Sequence, residues 1–366
     1  MSLYIKPTAM NERYCIIMAG GVGSRFWPLS KDNCPKQFLD ILGTGKSFIR
    51  STFERFRPLV PDRNFVVVTN AAYRELVRQH LPELDDSQVL CEPMRRNTAP
   101  CIAYATYHIQ ARCSQASIAV TPADHLVTNE QEFQRVIATG LDFVEQRSHE
   151  EALLTIGIRP SRPETGYGYI QVDPDKLGPS ADGVVETAGF KEKPDLPTAQ
   201  RFLEAGNYFW NSGIFIWSLK GIRQAFHRHL PEMERLFDQG TAHFGTPSEQ
   251  SFVDSMFARC ENISVDYGIM ERSDRCYTIP AEFGWSDIGT WGSLFAHARH
   301  DDDGNAKTGN ALLVDTRNSI VNIETGTTAI VQGLDHCLVA YRDHSLLVCR
   351  IDDEQEIKHW VERLGQ

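Results

Sequence analysis

No run of apolar residues in this sequence approaches the ~20 that a membrane-spanning helix requires. The opening Met1–Arg13 stretch is polar and lacks the apolar segment of a secretory signal, so export is not expected. CxxC pairs are missing as well. The nine cysteines stand singly, at Cys15, Cys34, Cys91, Cys101, Cys113, Cys260, Cys276, Cys337 and Cys349. An odd, scattered set reads as the reduced thiols of a cytoplasmic protein, not as a disulfide framework or a zinc site. Low-complexity tracts are absent too. Positive charge is in short supply: 37 Lys and Arg against 48 Asp and Glu leave a net charge of −11. That counts against nucleic acid as a partner, because such binding needs a basic face. A small anionic ligand stays open, provided that local cations, backbone amides or a metal ion meet its charge.

What is there suits a globular chain. Its 366 residues are 42% hydrophobic and 23% charged, enough for a substantial core and about two domains. Short apolar runs at Tyr14–Met18, Phe65–Thr69, Val89–Glu92, Ser117–Thr121 and Ala152–Gly157 read as buried strands. Amphipathic stretches lie between them, at Lys46–Phe56, Ala71–His80 after a capping Asn70, Thr98–Arg112 and Glu130–Gln146. This alternation predicts an α/β fold: a Rossmann-like three-layer domain with a mixed, mostly parallel sheet and right-handed crossovers. Further helices are expected at Leu196–Ala205 and Lys220–Leu236, with a strand at Gly213–Trp217, extending the domain into a second cleft wall. After the polar linker Asp301–Gly309 come short strands at Ala311–Asp315, Ser319–Ile323, Thr328–Val331, Cys337–Tyr341 and Ser345–Cys349, then a helix at Glu354–Leu364. Their regular spacing predicts a small C-terminal β domain, coiled in β-helix fashion. The expected division is 1–300 for the main domain and 301–366 for the β domain.

The strongest chemical signal is Ala19-Gly20-Gly21-Val22-Gly23-Ser24-Arg25, glycines leaving the end of a buried strand and running into a basic residue. Glycines let backbone amides approach phosphate oxygens. The spacing fits neither the Walker pattern nor GxGxxG, and a tight turn without ligand is the plain alternative. Lys36, in Pro35-Lys36-Gln37-Phe38-Leu39, joins Arg25 in supplying local positive charge.

The stretch GGVGSRFWPLSKDNCPKQFL resembles the signature of the sugar-1-phosphate nucleotidylyltransferases, with Phe26 where the family has leucine. The resemblance continues through Arg96-Asn97-Thr98-Ala99-Pro100, Thr121-Pro122-Ala123-Asp124-His125, Glu164-Thr165-Gly166-Tyr167-Gly168, Phe190-Lys191-Glu192-Lys193-Pro194, Trp210-Asn211-Ser212-Gly213 and Gly284-Trp285-Ser286-Asp287-Ile288-Gly289, in the family's order. It points to the branch that transfers GMP from GTP to α-D-mannose 1-phosphate. By this resemblance Gly20, Gly21, Gly23 and Ser24 cradle phosphates, Arg25 and Lys36 stabilise developing charge, and Asp124 and Asp287 hold Mg²⁺. Lys193 positions the sugar phosphate, while Gly166, Tyr167, Glu192 and Asn211 contact the sugar.

Position agrees with these roles where it can be read. Asp124 follows an apolar strand and should project from its carboxyl end, where open α/β sheets bind ligands. Two aspartates suffice for Mg²⁺, which keeps several waters and takes phosphate oxygens. The plain alternatives are a capping role for Asp124, an Asx turn at Asp287, a solvated Lys193 and a local turn bond at Asn211. Thymidylyl relatives carry glutamine-proline where this chain has Glu92-Pro93. A carboxylate can only accept, and guanine presents N1–H and N2–H₂ side by side. Glu92 is therefore expected at the Watson–Crick edge of guanine, with Arg96, Asn97 and Thr98 supporting the nucleotide; a charged strand end is the alternative.

A guanylyltransferase for another sugar 1-phosphate, such as a fucose or heptose, and a catalytically silent nucleotide-sugar sensor are the competing readings. Longer relatives carry a phosphomannose isomerase domain, and isomerase activity is not expected over these residues. The β segment suggests self-association, as a homodimer. His297–His300 and Asp301–Gly304 lack the ligand sets of metal sites, and Gly284–Gly289 has the wrong spacing for a nucleophile elbow.

Overall fold

The computed structural model describes residues 12–21, 23–176 and 183–365. Contacts divide them into two compact units. One comprises the described residues of Met1–Gly20, Phe53–Pro122 and Val127–Trp285; the other comprises Gly21–Thr52, Ala123–Leu126 and the described residues of Ser286–Gln366.

The first unit is built on a nine-stranded sheet. Its order is Val89–Glu92, Phe65–Asn70, Glu12–Ala19, Ala116–Pro122, Tyr208–Ser218, Leu153–Ile158, Cys276–Ala281, Val185–Lys191 and Tyr169–Val172. The first four strands pair in parallel, as the alternation of strand and helix predicts. Leu153–Ile158 and Cys276–Ala281 also pair in parallel, so the sheet is mixed and mostly parallel, with two strands running against the rest. Tyr208–Ser218 runs antiparallel to both neighbours, and Val185–Lys191 is antiparallel to Tyr169–Val172 and to Cys276–Ala281. The physical reason is local. Tyr169–Val172 pairs antiparallel with both Val185–Lys191 and Tyr208–Ser218, and antiparallel neighbours need no crossover of a dozen residues. The sheet is mixed, and the fold is α/β.

Helices form where periodicity and caps agree. Thr98–Arg112 and Glu130–Gln146 have the predicted bounds, and Asn129 caps the second by accepting from the Glu132 N–H. Asn70 accepts from the Ala72 N–H, starting a 3₁₀ turn that runs into Arg74–His80. The single helix expected over 220–236 is two, Leu219–His229 and Pro231–Asp238. Pro231 lacks an N–H and disfavours helical backbone at Leu230, which sits at φ −134. Helix Thr98–Arg112 is buried along most of its length, and its Tyr104 and Tyr107 pack in a core with Ile16, Val66, Ile118 and Trp217.

In the second unit, Ala306–Thr308, Ile320–Ile323 and Cys337–Arg342 pair in parallel and Ser345–Arg350 closes the sheet antiparallel. Asn310–Val314 and Thr328–Gln332 form a separate parallel pair. Phe26, Leu39, Phe48, Ile288, Trp291, Ile320 and Leu338 share its core, so this β segment packs with the loop carrying Arg25 and Lys36. No helix among the described residues is long and apolar enough to cross a membrane.

Candidate active site

The predicted residues fall into two groups, one in each unit. In the second unit they converge on Lys36. Gly23 holds φ at +71, a conformation open to glycine, and any Cβ there would collide with the Lys36 side chain. The chain then turns through Ser24–Phe26, with the Phe26 N–H donating to the Gly23 carbonyl at 3.0 Å. The side chain of Ser24 lies outside the described part. Arg25 is exposed. Lys36 is 3% exposed, and its ammonium lies 5.1 and 5.8 Å from the ring centres of Phe48 and Phe26.

A buried ammonium needs all three of its donors met. Here they go to the Asp124 carboxylate at 3.0 Å, the Asp124 main-chain oxygen at 2.9 Å and the Asp287 main-chain oxygen at 2.6 Å. Burial would push the Asp124 carboxyl up, but Lys36 and His125, by charge, and the Lys36 hydrogen bond hold it below the ordinary value of 3.8. One Asp287 carboxylate oxygen accepts the Gly289 N–H at 3.0 Å. Gln37 donates to the Gly21 carbonyl at 3.0 Å, fixing the glycine loop against the lysine segment.

Lys36 thus bonds the Asp124 carboxylate and the main chain of both residues expected to hold the metal. Among the described residues no three His, Cys, Asp or Glu side chains cluster as a closed metal cage. Asp124 and Asp287 are hard oxygen donors, the kind that suits a cation completing its shell with water and phosphate oxygens.

In the first unit the sheet end carries the other group. Gly20 borders Glu92: a Cβ there would lie 3.7 Å from a Glu92 carboxyl oxygen. Glu92 is 7% exposed, and its Oε1 is buried with no hydrogen-bond partner. Desolvation pushes its pKa from 4.5 up to about 8. Asn97 precedes helix Thr98–Arg112 at φ +67, and Arg96 donates to the Ala258 carbonyl at 2.9 Å. The Thr98 hydroxyl accepts the Val265 N–H at 2.9 Å, which ties the helix start to the segment bearing Asp266.

The first unit's group continues around Asn211, on strand Tyr208–Ser218. The Asn211 N–H donates to the Gly168 carbonyl at 2.8 Å, and the Lys193 N–H to that of Tyr167 at 3.2 Å. Tyr167 stands edge-on to Trp210 and Trp285, with centroids 5.2 and 5.4 Å away. Gly166 is exposed and its N–H donates to Glu164 at 3.0 Å. Gly168 leaves space that the buried Glu192 carboxyl occupies, since a Cβ would overlap Glu192 Oε2 and press Phe190 at 3.1 Å and the Asn211 Cβ at 3.3 Å. Burial, with the Asp266 charge beside it, pushes Glu192 up to about 7, against the pull of Lys193 at 3.5 Å. Lys193 is exposed at φ +45. Sequence reasoning missed Asp266 and Thr155, whose side chains bond to Asn211 from either end. The only prior signal was an acidic residue set between apolar ones in Ser264-Val265-Asp266-Tyr267.

The glycine loop, the buried lysine and the polar clusters at Glu92 and Asn211 are the residues that the resemblance assigns to nucleotide transfer. The chain belongs to the Nucleotidyl transferase family, which it matches over residues 14–304. Among characterised relatives, it is 33% identical over 356 residues to a mannose-1-phosphate guanylyltransferase of Escherichia coli, covering 95% of this chain and 75% of that one. It is 33% identical to the xanthan biosynthesis protein XanB of Xanthomonas campestris pv. campestris over 97% of this chain and 74% of that one. A crystal structure described as mannose-1-phosphate geranyltransferase from Thermus thermophilus superposes with a TM-score of 0.85 at 30% identity, over 97% of this chain and all of that one.

Proposed function

We propose that this nucleotidyltransferase is a mannose-1-phosphate guanylyltransferase: α-D-mannose 1-phosphate and GTP give GDP-mannose and diphosphate. What carries the reading is similarity to curated guanylyltransferases over nearly all of this chain and about three quarters of theirs, on a chain that has Arg25, Lys36, Asp124, Lys193 and Asp287 together. A phosphate oxygen of the sugar attacks the α-phosphorus of GTP in line. The new oxygen–phosphorus bond forms as the bond to the β-phosphate bridging oxygen breaks, and diphosphate leaves with the electron pair. No covalent enzyme intermediate is needed, so catalysis rests on positioning and charge stabilisation.

Each residue has a part in this reading. Gly20, Gly21, Gly23 and Ser24 bring backbone amides to the phosphates. Arg25 and Lys36 take charge that develops toward the diphosphate. Glu92 reads guanine N1–H and N2–H₂, with Arg96, Asn97 and Thr98 shaping the nucleotide loop. Lys193 pairs with the sugar phosphate, and Gly166, Tyr167, Glu192 and Asn211 receive the sugar. Asp124 and Asp287 would hold Mg²⁺, which when bound supplies positive charge to the phosphate oxygens.

Residues 1–300 then form the catalytic region and 301–366 a β-helix-like appendage; the parallel pairings of the latter support that coil. Exposed Leu312, Ile330, Leu346 and Val348 on its strands support self-association as a homodimer. Nine free cysteines suit a cytoplasmic setting. Diphosphate release from GTP across a panel of sugar 1-phosphates tests the reading. Release with mannose 1-phosphate above the others supports it. Preference for a fucose or heptose 1-phosphate selects the nearer alternative, and no release with any sugar selects the silent sensor.

A further inference from the structure

Asn211 is held at both ends of its amide. Its side-chain oxygen accepts the Gly213 backbone N–H at 3.2 Å and the Thr155 hydroxyl at 2.8 Å. A backbone N–H can only donate, so the atom facing Gly213 must be the oxygen and the amide cannot be turned over. The nitrogen therefore points the other way, where it donates to Asp266 Oδ1 at 2.8 Å. An amide nitrogen carries two hydrogens, and Asp266 takes one. The second remains to meet a ligand oxygen.

The neighbouring acceptor is set by the same cluster. Glu192 Oε2 is buried without a hydrogen-bond partner and fills the space beside Gly168, against which the Asn211 side chain also lies. A fixed N–H donor and a partnerless carboxyl oxygen therefore stand close together. That combination suits adjacent hydroxyls of a sugar ring: one hydroxyl oxygen accepts from Asn211 and a neighbouring hydroxyl donates to Glu192. Asp266 belongs to the segment that Thr98 anchors through the Val265 N–H, so its carboxylate is presented from a fixed backbone.

We propose that Asp266 is a positioning residue for sugar recognition, orienting the Asn211 amide so that it and Glu192 act as a donor–acceptor pair for adjacent sugar hydroxyls. This rests on the guanylyltransferase reading above. Asp266 touches no reacting atom, and its effect belongs in the sugar KM rather than in kcat.

The experiment is steady-state kinetics of wild type, Asp266→Ala, Asp266→Asn and Thr155→Val, with GTP and mannose 1-phosphate varied in turn, beside thermal melts of each. If the wild-type enzyme does not turn over, the guanylyltransferase reading itself fails. Given wild-type activity, Asp266→Ala is expected to raise the sugar KM about tenfold or more, the scale of one lost hydrogen bond to a charged group. The GTP KM should stay within about twofold. Asp266→Asn keeps an oxygen acceptor for the Asn211 amide and should bring the sugar KM back toward wild type. Thr155→Val preserves shape, removes the other side-chain contact to that amide and should raise the same KM about threefold; it decides the matter if Asp266→Ala does not fold. An unchanged sugar KM in Asp266→Ala, or equal increases in both KM values, overturns the proposal. So does an unchanged sugar KM in Thr155→Val where Asp266→Ala yields no folded protein.

Discussion

Glu92 offers the sharpest chemical test, because its burial and its expected role pull in opposite directions. Without ligand the carboxyl is 7% exposed and Oε1 has no partner, so its pKa stands at about 8 in place of 4.5. That displacement is worth about 5 kcal/mol against the ionised form. Near pH 7 only about one molecule in ten carries the charge. Guanine presents two adjacent donors, which an ionised carboxylate accepts with both oxygens. Binding should therefore drive Glu92 to ionise and release about 0.9 proton near pH 7. A protonated carboxyl could instead accept from N1–H and donate to O6, and no proton would leave. GDP-mannose is the suitable ligand, since its diphosphate diester does not titrate in this range. Calorimetry in buffers of different ionisation enthalpy counts the protons. The expected result is that wild type releases about 0.9 proton more than Glu92→Gln, a difference that cancels any proton moved at Glu192, with GDP-mannose affinity rising more steeply in wild type than in the variant as pH goes from about 6 to 8. Equal release by the two would refute the ionised pairing.

Linkage gives the same carboxyl a second signature. A raised native pKa means that its contribution to stability is complete below about pH 4.5 and is lost progressively up to about pH 8. Denaturant melts should show Glu92→Gln gaining stability relative to wild type as pH rises across that window. Arg25→Ala should lower kcat by about 10²–10³ with a much smaller change in nucleotide affinity, and full kcat would remove it from charge stabilisation. Lys36→Met takes away the cation that holds the Asp124 carboxyl low. Wild type should then lose stability as pH falls below the ordinary carboxylate range, and urea melts of the variant should show less of that acid loss from a lower starting point. Gly168→Ala puts a Cβ onto Glu192 Oε2 and should cost about 1–3 kcal/mol in thermal unfolding while raising the sugar KM above that for GTP.

How much of this was legible in the sequence differs by region. The strands Phe65–Asn70 and Val89–Glu92 and the helix Thr98–Arg112 follow from apolar runs and periodicity, which are local properties. The two strands that run against the others, Tyr208–Ser218 and Val185–Lys191, were not legible, since strand direction depends on which distant segment each strand meets. Tyr208–Ser218 pairs with segments both before and after residue 150. The break at Pro231 was readable from the missing N–H, yet the apolar pattern on either side concealed it. The family resemblance paired Asp124 with Asp287, but the bonding of the Lys36 ammonium to the Asp124 carboxylate and the Asp287 main chain is a tertiary fact. Asp266 escaped because its partner Asn211 lies 55 residues away and no local pattern links them.

The central claim is transfer of GMP from GTP to mannose 1-phosphate. The direct measurement incubates the enzyme, Mg²⁺ and mannose 1-phosphate with GTP labelled at either the α- or the γ-phosphate, then separates nucleotide sugar from diphosphate. Attack at the α-phosphorus sends α-label into GDP-mannose and γ-label into diphosphate. Release of γ-label as inorganic phosphate, or α-label that never joins the sugar, contradicts the account.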